Sequence, residues 1–280
     1  MPKTLQYATV RPKSAVLVFR KQLVYKVNPG GNSLASNALE CVYLTFRANS
    51  IYQIFQQTGS VNHTGVWTSQ NALEYSPGVN CNADGYDNWK TRFQHFTVLG
   101  SKCQATYEPM ARNQPDGLSA GEKDAYDESD SNQAIFFVHK AGSTGVINAT
   151  STMATIGTDP YLQKSSVYVE PGSVGRPARI TSKYSTKRFE GVKDVMDNTT
   201  LRGVLDSGIT SPAQPVERSY FNVGIIPTIH AAGAHQCAGI MRINLEYICK
   251  LTEPTQTNVP SLGMLNMGTQ TDGVRADVIV

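Results

Sequence analysis

The sequence predicts an all-β protein, a sandwich of two sheets, and three observations support that class. Residues 239–251 alternate apolar and polar side chains along their whole length, as a strand with one buried and one solvated face does. Charged residues make up only 17% of the 280-residue chain, so the residues that favour helices are scarce. The 23 glycines, 14 prolines and 13 tyrosines suit many strands joined by long turns.

The first element in chain order is a strand over residues 14–27. Its apolar face carries Ala15, Leu17, Phe19, Leu23, Tyr25 and Val27. Lys21 interrupts that face, which indicates a bulge or the edge of a sheet. A second β segment is predicted over residues 38–55, and a polar loop follows over residues 56–88.

An aromatic-rich segment, residues 86–96, is predicted to begin as a short helix with Asp87 as its cap. Three aromatic side chains are spaced for one helical face: Trp89, Phe93 and Phe96. Residues 96–107 alternate as a strand does, but the phase slips at residues 100–101. A glycine at such a slip indicates a bulge or a bend.

The second half of the chain supplies the remaining strands and several long loops. Strands are predicted over residues 135–139, 146–156, 165–169, 220–226 and 239–251, with an extended basic segment over 179–189. Residues 111–132 form a polar insertion with an acidic cluster, and residues 191–216 form another long loop. About eight strands joined by long loops predict a single eight-stranded jelly roll.

We expect the chain to divide into three parts. Residues 1–13 are a short basic N-terminal segment, residues 14–251 the jelly-roll domain, and residues 252–280 a C-terminal tail with little periodicity. The apolar run over residues 15–19 is too short for a signal-peptide core or a membrane span. We therefore expect an intracellular origin and no membrane insertion.

The sequence lacks the motifs of a nucleotide-binding loop, a nucleophile elbow or a zinc protease. His230 and His235 are its only close histidine pair, and a pair falls short of the three or four ligands that a zinc site normally needs. The acidic cluster of residues 111–132 lacks calcium-loop spacing, which favours a solvated loop. Five cysteines are scattered, and Cys103 and Cys249 fall on apolar faces as buried thiols. We predict no enzyme activity, no metal and no cofactor.

Cations are concentrated in two segments that also carry aromatic residues. Six lie before residue 40 with no acidic residue among them, and six lie within residues 176–193 against one glutamate. Cations for phosphate beside aromatic platforms for unpaired bases suit a surface that binds single-stranded nucleic acid. The alternative is ordinary solvent-facing charge on edge strands. The candidate nucleic-acid-binding residues are Lys3, Arg11, Lys13, Arg20, Lys21, Lys183, Lys187 and Arg188.

Three parts of the sequence, taken in order, resemble a known family. Tyr-Asp-Asn-Trp at 86–89, followed by Phe-Thr-Val-Leu-Gly-Ser-Lys at 96–102, resembles the central motif of capsid proteins from small circular Rep-encoding single-stranded DNA viruses. Tyr-Ser-Thr-Lys-Arg-Phe at 184–189 resembles the Ser-Thr-Lys-Lys-aromatic segment of that circovirus-like family.

The third resembling part begins at Pro215 and ends at Pro254. Its segments Tyr-Phe-Asn-Val at 220–223 and Ile-Asn-Leu-Glu-Tyr-Ile at 243–248 resemble the last two strands of the family. The order and spacing of the three parts agree over residues 86–254. Each motif is degenerate, so the specificity of the resemblance lies in the combination.

The resemblance implies a capsid subunit, a single jelly roll whose copies form a small icosahedral T=1 shell, commonly of sixty subunits. Its partners would be further copies of the chain, a circular single-stranded DNA genome (or RNA in recombinant particles) and an unidentified host-cell receptor. The protein would reside in the virion after assembly inside the host cell. Family members usually begin with a long arginine-rich arm, which this sequence does not show. The genome would then be neutralised by the inner wall (including residues 176–193), by other counter-ions or by an arm outside the numbered chain. Otherwise, packaging would work differently.

Other classes of function stay open at this stage. A monomeric or dimeric jelly-roll module, such as a carbohydrate binder, would share the fold but would not form a shell. A coat protein of a positive-strand RNA virus is harder to distinguish from the single-stranded DNA virus capsid protein that the resemblance implies. An enzyme on a β-sandwich would need paired carboxylates, and no pair stands out in the sequence.

Overall fold

Eleven strands and three short helices make up the described part of the chain. In the computed structural model the described residues are 14–27, 41–61, 67–68, 81–109, 133–142, 159–168, 176–195, 198–206, 211–227 and 239–255. The strands are β1 (Ser14–Val27), β2 (Cys41–Arg47), β3 (Phe55–Val61), β4 (Trp67–Thr68), β5 (Phe93–Pro109), β6 (Gln133–Ala141), β7 (Leu162–Tyr168), β8 (Ala178–Ser185), β9 (Arg202–Val204), β10 (Tyr220–Pro227) and β11 (Gly239–Pro254). The helices are α1 (Tyr86–Trp89), α2 (Thr186–Phe189) and a 3-10 helix (Thr199–Leu201).

The strands form two antiparallel sheets that pack face to face. Sheet A has the order β1-β11-β5-β8, with β9 also paired to β5. Sheet B has the order β4-β3-β2-β10-β6-β7. Side chains from the inner faces of both sheets form one hydrophobic core.

The strand order is that of a jelly roll. Without β3, β4 and β9, the remaining eight strands pair in nested order: β1 with β11, β2 with β10, β5 with β8 and β6 with β7. One long antiparallel hairpin rolled into two sheets has this pairing, as two Greek keys do. The predicted all-β jelly roll is therefore confirmed, and three further strands extend it beyond eight.

Strand β11 is the centre of sheet A and confirms the alternation predicted for residues 239–251. It pairs with β1 on one side and β5 on the other. Its inward side chains are all buried: Met241, Ile243, Leu245, Tyr247, Cys249 and Leu251. Burying a large apolar side chain contributes about 1.5–3 kcal/mol. This strand therefore supplies a large share of the core from a single stretch of sequence.

Lys21 lies at the edge of sheet A and not at a bulge. The register between β1 and β11 runs without a shift from Ser14 to Val27, which excludes an inserted residue. Because β1 is an edge strand, the Lys21 side chain reaches past the core, and its Nζ lies 2.6 Å from Asp84 Oδ1. The apolar face tolerates the lysine for that reason.

The phase slip predicted in β5 is a bulge. Ile248 pairs with Gly100 and Cys249 pairs with Val98, so Leu99 is the extra residue. A side chain at residue 100 would bring a Cβ to 3.0 Å from a backbone oxygen of the neighbouring strand β8. Glycine therefore lets β5 and β8 approach closely where the strand bends.

The short helix predicted at the start of residues 86–96 is confirmed, but its cap and the extension of its helical face to Phe93 and Phe96 are wrong. Helix α1 ends at Trp89, and β5 begins at Phe93. Gly85, in the left-handed conformation with φ of 87°, occupies the cap position, while Asp87 lies in the first turn. Pairing of the following aromatic residues with β11 outweighs their helical spacing. Within the described ranges, the chain has no helix with the length and apolarity needed to cross a membrane.

Three predicted segments differ from the structure where the chain reverses or changes its secondary structure, which alternation does not reveal. The β segment over 38–55 ends at Arg47; a turn follows that buries Ile51 and Ile54, and β3 returns antiparallel to β2. The polar loop predicted over 56–88 therefore contains parts of β3 and β4. The segment over 179–189 is extended only to Ser185 and then helical.

The remaining predictions are confirmed in part or lie outside the described residues. The short strands predicted over 135–139, 165–169 and 220–226 correspond to β6, β7 and β10. The loop predicted over 191–216 contains the 3-10 helix and β9, and β11 continues past residue 251 to Pro254. The acidic insertion and the strand predicted over 146–156 fall outside the described residues. The division into three parts stays a prediction.

A fully buried arginine joins the turn after β2 to the segment before β10. The Arg47 guanidinium donates to Asn49 Oδ1 from Nε (3.2 Å) and Nη2 (3.0 Å) and to Gln214 Oε1 from Nη1 (2.7 Å). Its Nη2 also donates to the backbone oxygens of Pro215 (3.1 Å) and Glu217 (3.0 Å). Burial lowers the pKa of Arg47 to about 10, so the group stays charged at neutral pH.

Candidate nucleic-acid interface

The outer face of sheet A, the side turned away from the core, consists of rows of side chains that cross four strands. The register of β1, β11, β5 and β8 places one residue of each strand in each row. One row is polar and uncharged: Gln22, Asn244, Gln104 and Thr181. The next row is charged: Arg20, Glu246, Lys102 and Lys183.

The charged row holds more positive than negative charge. Arg20 Nε lies 2.8 Å from Glu246 Oε2, so the one carboxylate of the row is already paired. Lys102 and Lys183 stand directly opposite each other across β5 and β8, and no carboxylate of the described residues pairs with either lysine. Like charges in that position destabilise a sheet. Among the described residues, the row therefore retains an excess of positive charge.

A hollow of about 790 Å³ lies over the lysine end of this row, beside α2, and is called the basic hollow. Its lining comes from β5, β6, β8, β11, α2 and the turn before β7. The lining side chains include four cations, Lys102, Lys140, Lys183 and Arg188, and three aromatic residues, Tyr161, Tyr184 and Phe189. Glu246 is the one carboxylate among the lining residues described. Such a composition favours an anionic ligand.

The aromatic residues of the basic hollow form a cluster with one ring at the surface. The Phe189 ring centroid lies 5.4 Å from those of Tyr161 and Tyr184. Tyr184 is buried, whereas Tyr161 exposes 51% of its surface. Phe189 and Tyr184 therefore support Tyr161 from the protein side and leave it accessible to a ligand.

Lys140 brings a cation from sheet B to the basic hollow. Its Nζ donates to the backbone oxygen of Lys183 at 3.0 Å and lies 5.7 Å from the Tyr161 ring centroid. Partial burial, and in second place the charge of Arg188, lower the pKa of Lys140. An anion beside this group would favour its charged form and oppose both effects.

The turn that presents Tyr161 is held by Asp159. The Tyr161 backbone N–H donates to Asp159 Oδ1 at 2.7 Å, and Oδ2 lies 2.9 Å from Nε2 of the buried His139. Partial burial would raise the Asp159 pKa, but the Tyr161 and His139 hydrogen bonds outweigh it and hold the pKa below its ordinary value. The carboxylate therefore stays charged and orders the turn.

Helix α2 is too short to be stable alone, and its neighbours hold it in place. Thr186 Oγ1 donates to the backbone oxygen of Val98 at 2.6 Å, which ties the helix to β5. Glu190, at its end, accepts from Tyr184 Oη at 2.7 Å and from Ser219 Oγ. Burial raises the pKa of Tyr184, so its hydroxyl remains a donor. These contacts fix the helix that carries Arg188 and Phe189.

The predicted nucleic-acid-binding residues do not form one cluster. Lys183 and Arg188 line the basic hollow, while Lys187 is exposed on α2 outside it. Arg20 and Lys21 are both engaged in ion pairs, with Glu246 and Asp84. Outside the described residues lie Lys3, Arg11 and Lys13.

Sequence reasoning missed Lys102, Lys140 and Tyr161. Lys102 belongs to the Gly-Ser-Lys end of a recognised motif, but only the strand register places it opposite Lys183. Lys140 follows the short strand that was predicted over 135–139, and no local pattern connects it to sheet A. Tyr161 lies in a segment without periodicity. Only the fold brings these three residues together.

The described part of the chain gives no support for a metal site or a reactive cysteine. No group of three or more metal-ligating side chains occurs among the described residues. His230, His235 and the acidic cluster over 111–132 lie outside them. Cys103 and Cys249 are buried free thiols, as predicted, and burial raises the pKa of both. They are therefore packing residues and poor nucleophiles.

Beside the charged row the outer face of sheet A becomes apolar. Val18 and Ile248 stand opposite each other on β1 and β11, and Val16 is the next outward residue on β1. They expose 54%, 45% and 59% of their surfaces. An exposed apolar patch at a sheet edge is typical of surfaces that contact other chains.

No protein-family model matches the chain, and no curated protein matches it. Similar solved structures include the decameric BFDV capsid protein, 8% identical with a TM-score of 0.34, where the match covers 85% of this chain and 98% of that one. The structure of Broad Bean Stain Virus is 10% identical in sequence with a TM-score of 0.37, and the match covers 84% of this chain and 90% of that one. The semi-empty VLP of Macrobrachium rosenbergii nodavirus, of the giant freshwater prawn, is 9% identical with a TM-score of 0.38, covering 86% and 95%. The fold assignment itself rests on the strand order.

Proposed function

We propose that the chain is a viral capsid protein whose copies self-assemble into a small icosahedral shell around a single-stranded genome. More specifically, it is the capsid protein of a circovirus-like single-stranded DNA virus, and the shell has T=1 symmetry with sixty copies. Its role is structural and not enzymatic. The protein resides in the virion, is assembled inside the host cell, and meets a receptor whose identity is open.

The observation that carries the proposal is where the three resembling sequence parts fall in the fold. The first corresponds to α1 and the start of β5, the second to the end of β8 and α2, and the third to β10 and β11. All of these elements belong to one jelly roll, and the aromatic helix leads into the strand as the resemblance implies. Each of the quoted segments falls within a strand or a helix and none falls in a loop, which supports the resemblance.

Two surface features support assembly and genome enclosure in particular. The exposed apolar patch of Val16, Val18 and Ile248 is suited to contact with another copy. The excess cations on the outer face of sheet A are suited to packaged phosphate. We propose an inner wall that comprises the sequence-predicted residues Lys3, Arg11, Lys13, Arg20, Lys21, Lys183, Lys187 and Arg188.

The test is size-exclusion chromatography with light scattering on the purified chain, with absorbance recorded at two wavelengths, 260 and 280 nm. Sixty copies of the 30.5-kDa chain would form a particle of about 1.8 MDa, and we expect such a particle with a raised 260/280 ratio. Disassembly followed by nuclease should remove the excess absorbance.

Each alternative result has a definite meaning. A megadalton particle with a protein-like absorbance ratio would keep the shell and refute packaging by this chain alone. A monodisperse monomer or dimer, unchanged across salt and pH, would refute the shell and favour a jelly-roll binding module. Sequencing of the enclosed nucleic acid after expression from its own genome would separate DNA from RNA packaging.

A further inference from the structure

We propose that the basic hollow is a binding site for one nucleotide unit of a single strand, with the phosphate among its four cations and the base stacked on Tyr161. The inference rests on the proposed function in one respect, because it takes single-stranded nucleic acid as the partner. It adds a defined position on each subunit and residues that the sequence motifs did not indicate.

The phosphate part of the site follows from the charge that the fold leaves uncompensated. Lys102 and Lys183 are opposed across two strands, and the neighbouring carboxylate of Glu246 is paired with Arg20. Folding therefore places two lysines opposite each other without a carboxylate partner among the described residues. A bound phosphate would compensate both charges, so the arrangement that weakens the sheet gains a use when an anion is present.

The four cations converge from separate elements, which distinguishes the basic hollow from a run of surface charge. Lys102 comes from β5, Lys183 from β8, Arg188 from α2 and Lys140 from the opposite sheet. The Lys140 ammonium is fixed by its hydrogen bond to the Lys183 backbone oxygen. An ordinary solvated face would not bring a partly buried lysine from the second sheet to the same place.

The base part of the site follows from Tyr161. Its ring is half exposed, yet contacts with Phe189 and Lys140 and the Asp159 turn hold it in position. A fixed aromatic ring loses little conformational freedom when a base stacks on it. The hollow of about 790 Å³ lies within the usual range of small-ligand sites, about 300–1,000 Å³.

The site should accept any base. Stacking uses the π-face that every base has, and the phosphate contacts carry no sequence information. Such tolerance is what a subunit needs if many identical copies must each bind a different part of one genome.

The test measures binding of two fluorescent probes to the full chain. One is a thymidine decamer, and the other is an abasic decamer with the same number of phosphates. We expect the wild-type chain to prefer the thymidine decamer. Tyr161→Ala should weaken its binding about tenfold, as loss of one stacked base does, without changing the dependence on salt. Tyr161→Phe keeps the ring and should bind as the wild type does.

Lys183→Ala and Lys164→Ala form a matched pair for the phosphate part. Both remove one exposed lysine, but only Lys183 lines the basic hollow, whereas Lys164 lies on β7 and is not among the proposed binding residues. Lys183→Ala should weaken the binding of both probes and reduce the slope of log affinity against log salt by about 0.7, as one lost contact to a single strand does. Lys164→Ala should change the slope by much less.

Two results would overturn the site. Equal wild-type affinity for the two decamers would mean a polyanion surface without stacking. Equal effects of Lys183→Ala and Lys164→Ala would mean diffuse charge. Photocrosslinking of a 5-iodouracil strand, mapped by mass spectrometry, guards against misfolded variants because it uses the wild-type chain. A crosslink at Tyr161 supports the site, and crosslinks elsewhere alone contradict it.

Light scattering on the same samples separates this inference from the proposed shell. A chain that crosslinks at Tyr161 but forms no particle would keep the nucleotide site and refute the capsid. A nucleic-acid-containing particle without a crosslink at Tyr161 would keep the capsid and refute the site.

Discussion

The outer faces of the two sheets differ in whether the polar and charged side chains of a row find partners. On sheet A, the row of Arg20, Glu246, Lys102 and Lys183 is open to solvent and leaves two lysines without a carboxylate partner among the described residues. On sheet B, the row of Thr45, Asn222 and His139 is buried. Thr45 Oγ1 donates to Asn222 Oδ1 at 2.7 Å, and Asn222 Nδ2 lies 3.4 Å from His139 Nδ1.

Burial explains the difference. A buried polar group without a partner costs about 1–3 kcal/mol, so the row on sheet B continues from hydroxyl to amide to imidazole and ends at the Asp159 carboxylate. Water stabilises an unpaired lysine at the surface, so the row on sheet A can carry excess charge at little cost. The exposed sheet therefore keeps binding capacity, while the polar groups of the covered sheet are used for stability.

Among the variants that test this comparison, the largest change in stability is expected at Arg47, which is buried. Arg47→Met removes a guanidinium that donates to Asn49, Gln214 and two backbone oxygens, and should lower the free energy of unfolding by about 3 kcal/mol. Arg202→Met is the control, because that arginine pairs at 3.0 Å with the half-exposed Glu253 and should cost below about 1 kcal/mol. Equal losses in urea unfolding would contradict the role of burial.

The next effect is expected from a pair of asparagines. Asn222→Ala leaves Thr45 and His139 without their shared partner and should cost about 1–3 kcal/mol. Asn244→Ala removes the same side chain from the polar row of sheet A and should stay within about 0.5 kcal/mol. Denaturant unfolding of both variants measures the difference directly. A cost at residue 244 equal to that at residue 222 would refute the contrast between the faces.

A smaller effect should appear in the pH dependence of stability. The folded-state pKa of Asp159 is lowered, so its contribution is present above the ordinary carboxyl pKa and is lost as the pH falls through the lowered value. Asp159→Asn takes up no proton there, so its unfolding free energy should fall less steeply with acid than that of the wild type. Thermal unfolding across the acid range measures both slopes, and parallel curves would exclude this role.

The smallest effect, of opposite sign, is expected at Lys102. Lys102→Gln relieves the repulsion with Lys183 and should raise the free energy of unfolding by about 0.3 kcal/mol, while it weakens binding of the thymidine decamer. Lys250→Gln, whose neighbours Val16 and Thr97 are uncharged, should change neither. A loss of stability at residue 102 would show that the charged row is already compensated.

Much of the fold could be predicted because strand alternation is local. The stripe from Met241 to Leu251 and the apolar face of residues 14–27 predicted β11 and β1, and the slip at Gly100 predicted the bulge. The helical face expected to reach Phe96 and the single β segment over 38–55 were wrong where a tertiary pairing or a reversal overrode the local pattern. Of the candidate site, the sequence indicated Lys183 and Arg188 as cations near aromatic residues.

The amino-acid sequence by itself determined which stretches are strands and which of their faces are apolar, because a strand's alternation is carried by neighbouring residues. Only the tertiary structure decided which strands pair and in what register. That register places Lys102 opposite Lys183, brings Lys140 across from the other sheet, and sets Tyr161 at the edge of the basic hollow. These residues lie far apart in the chain, and their proximity follows from long-range pairing that no local pattern records.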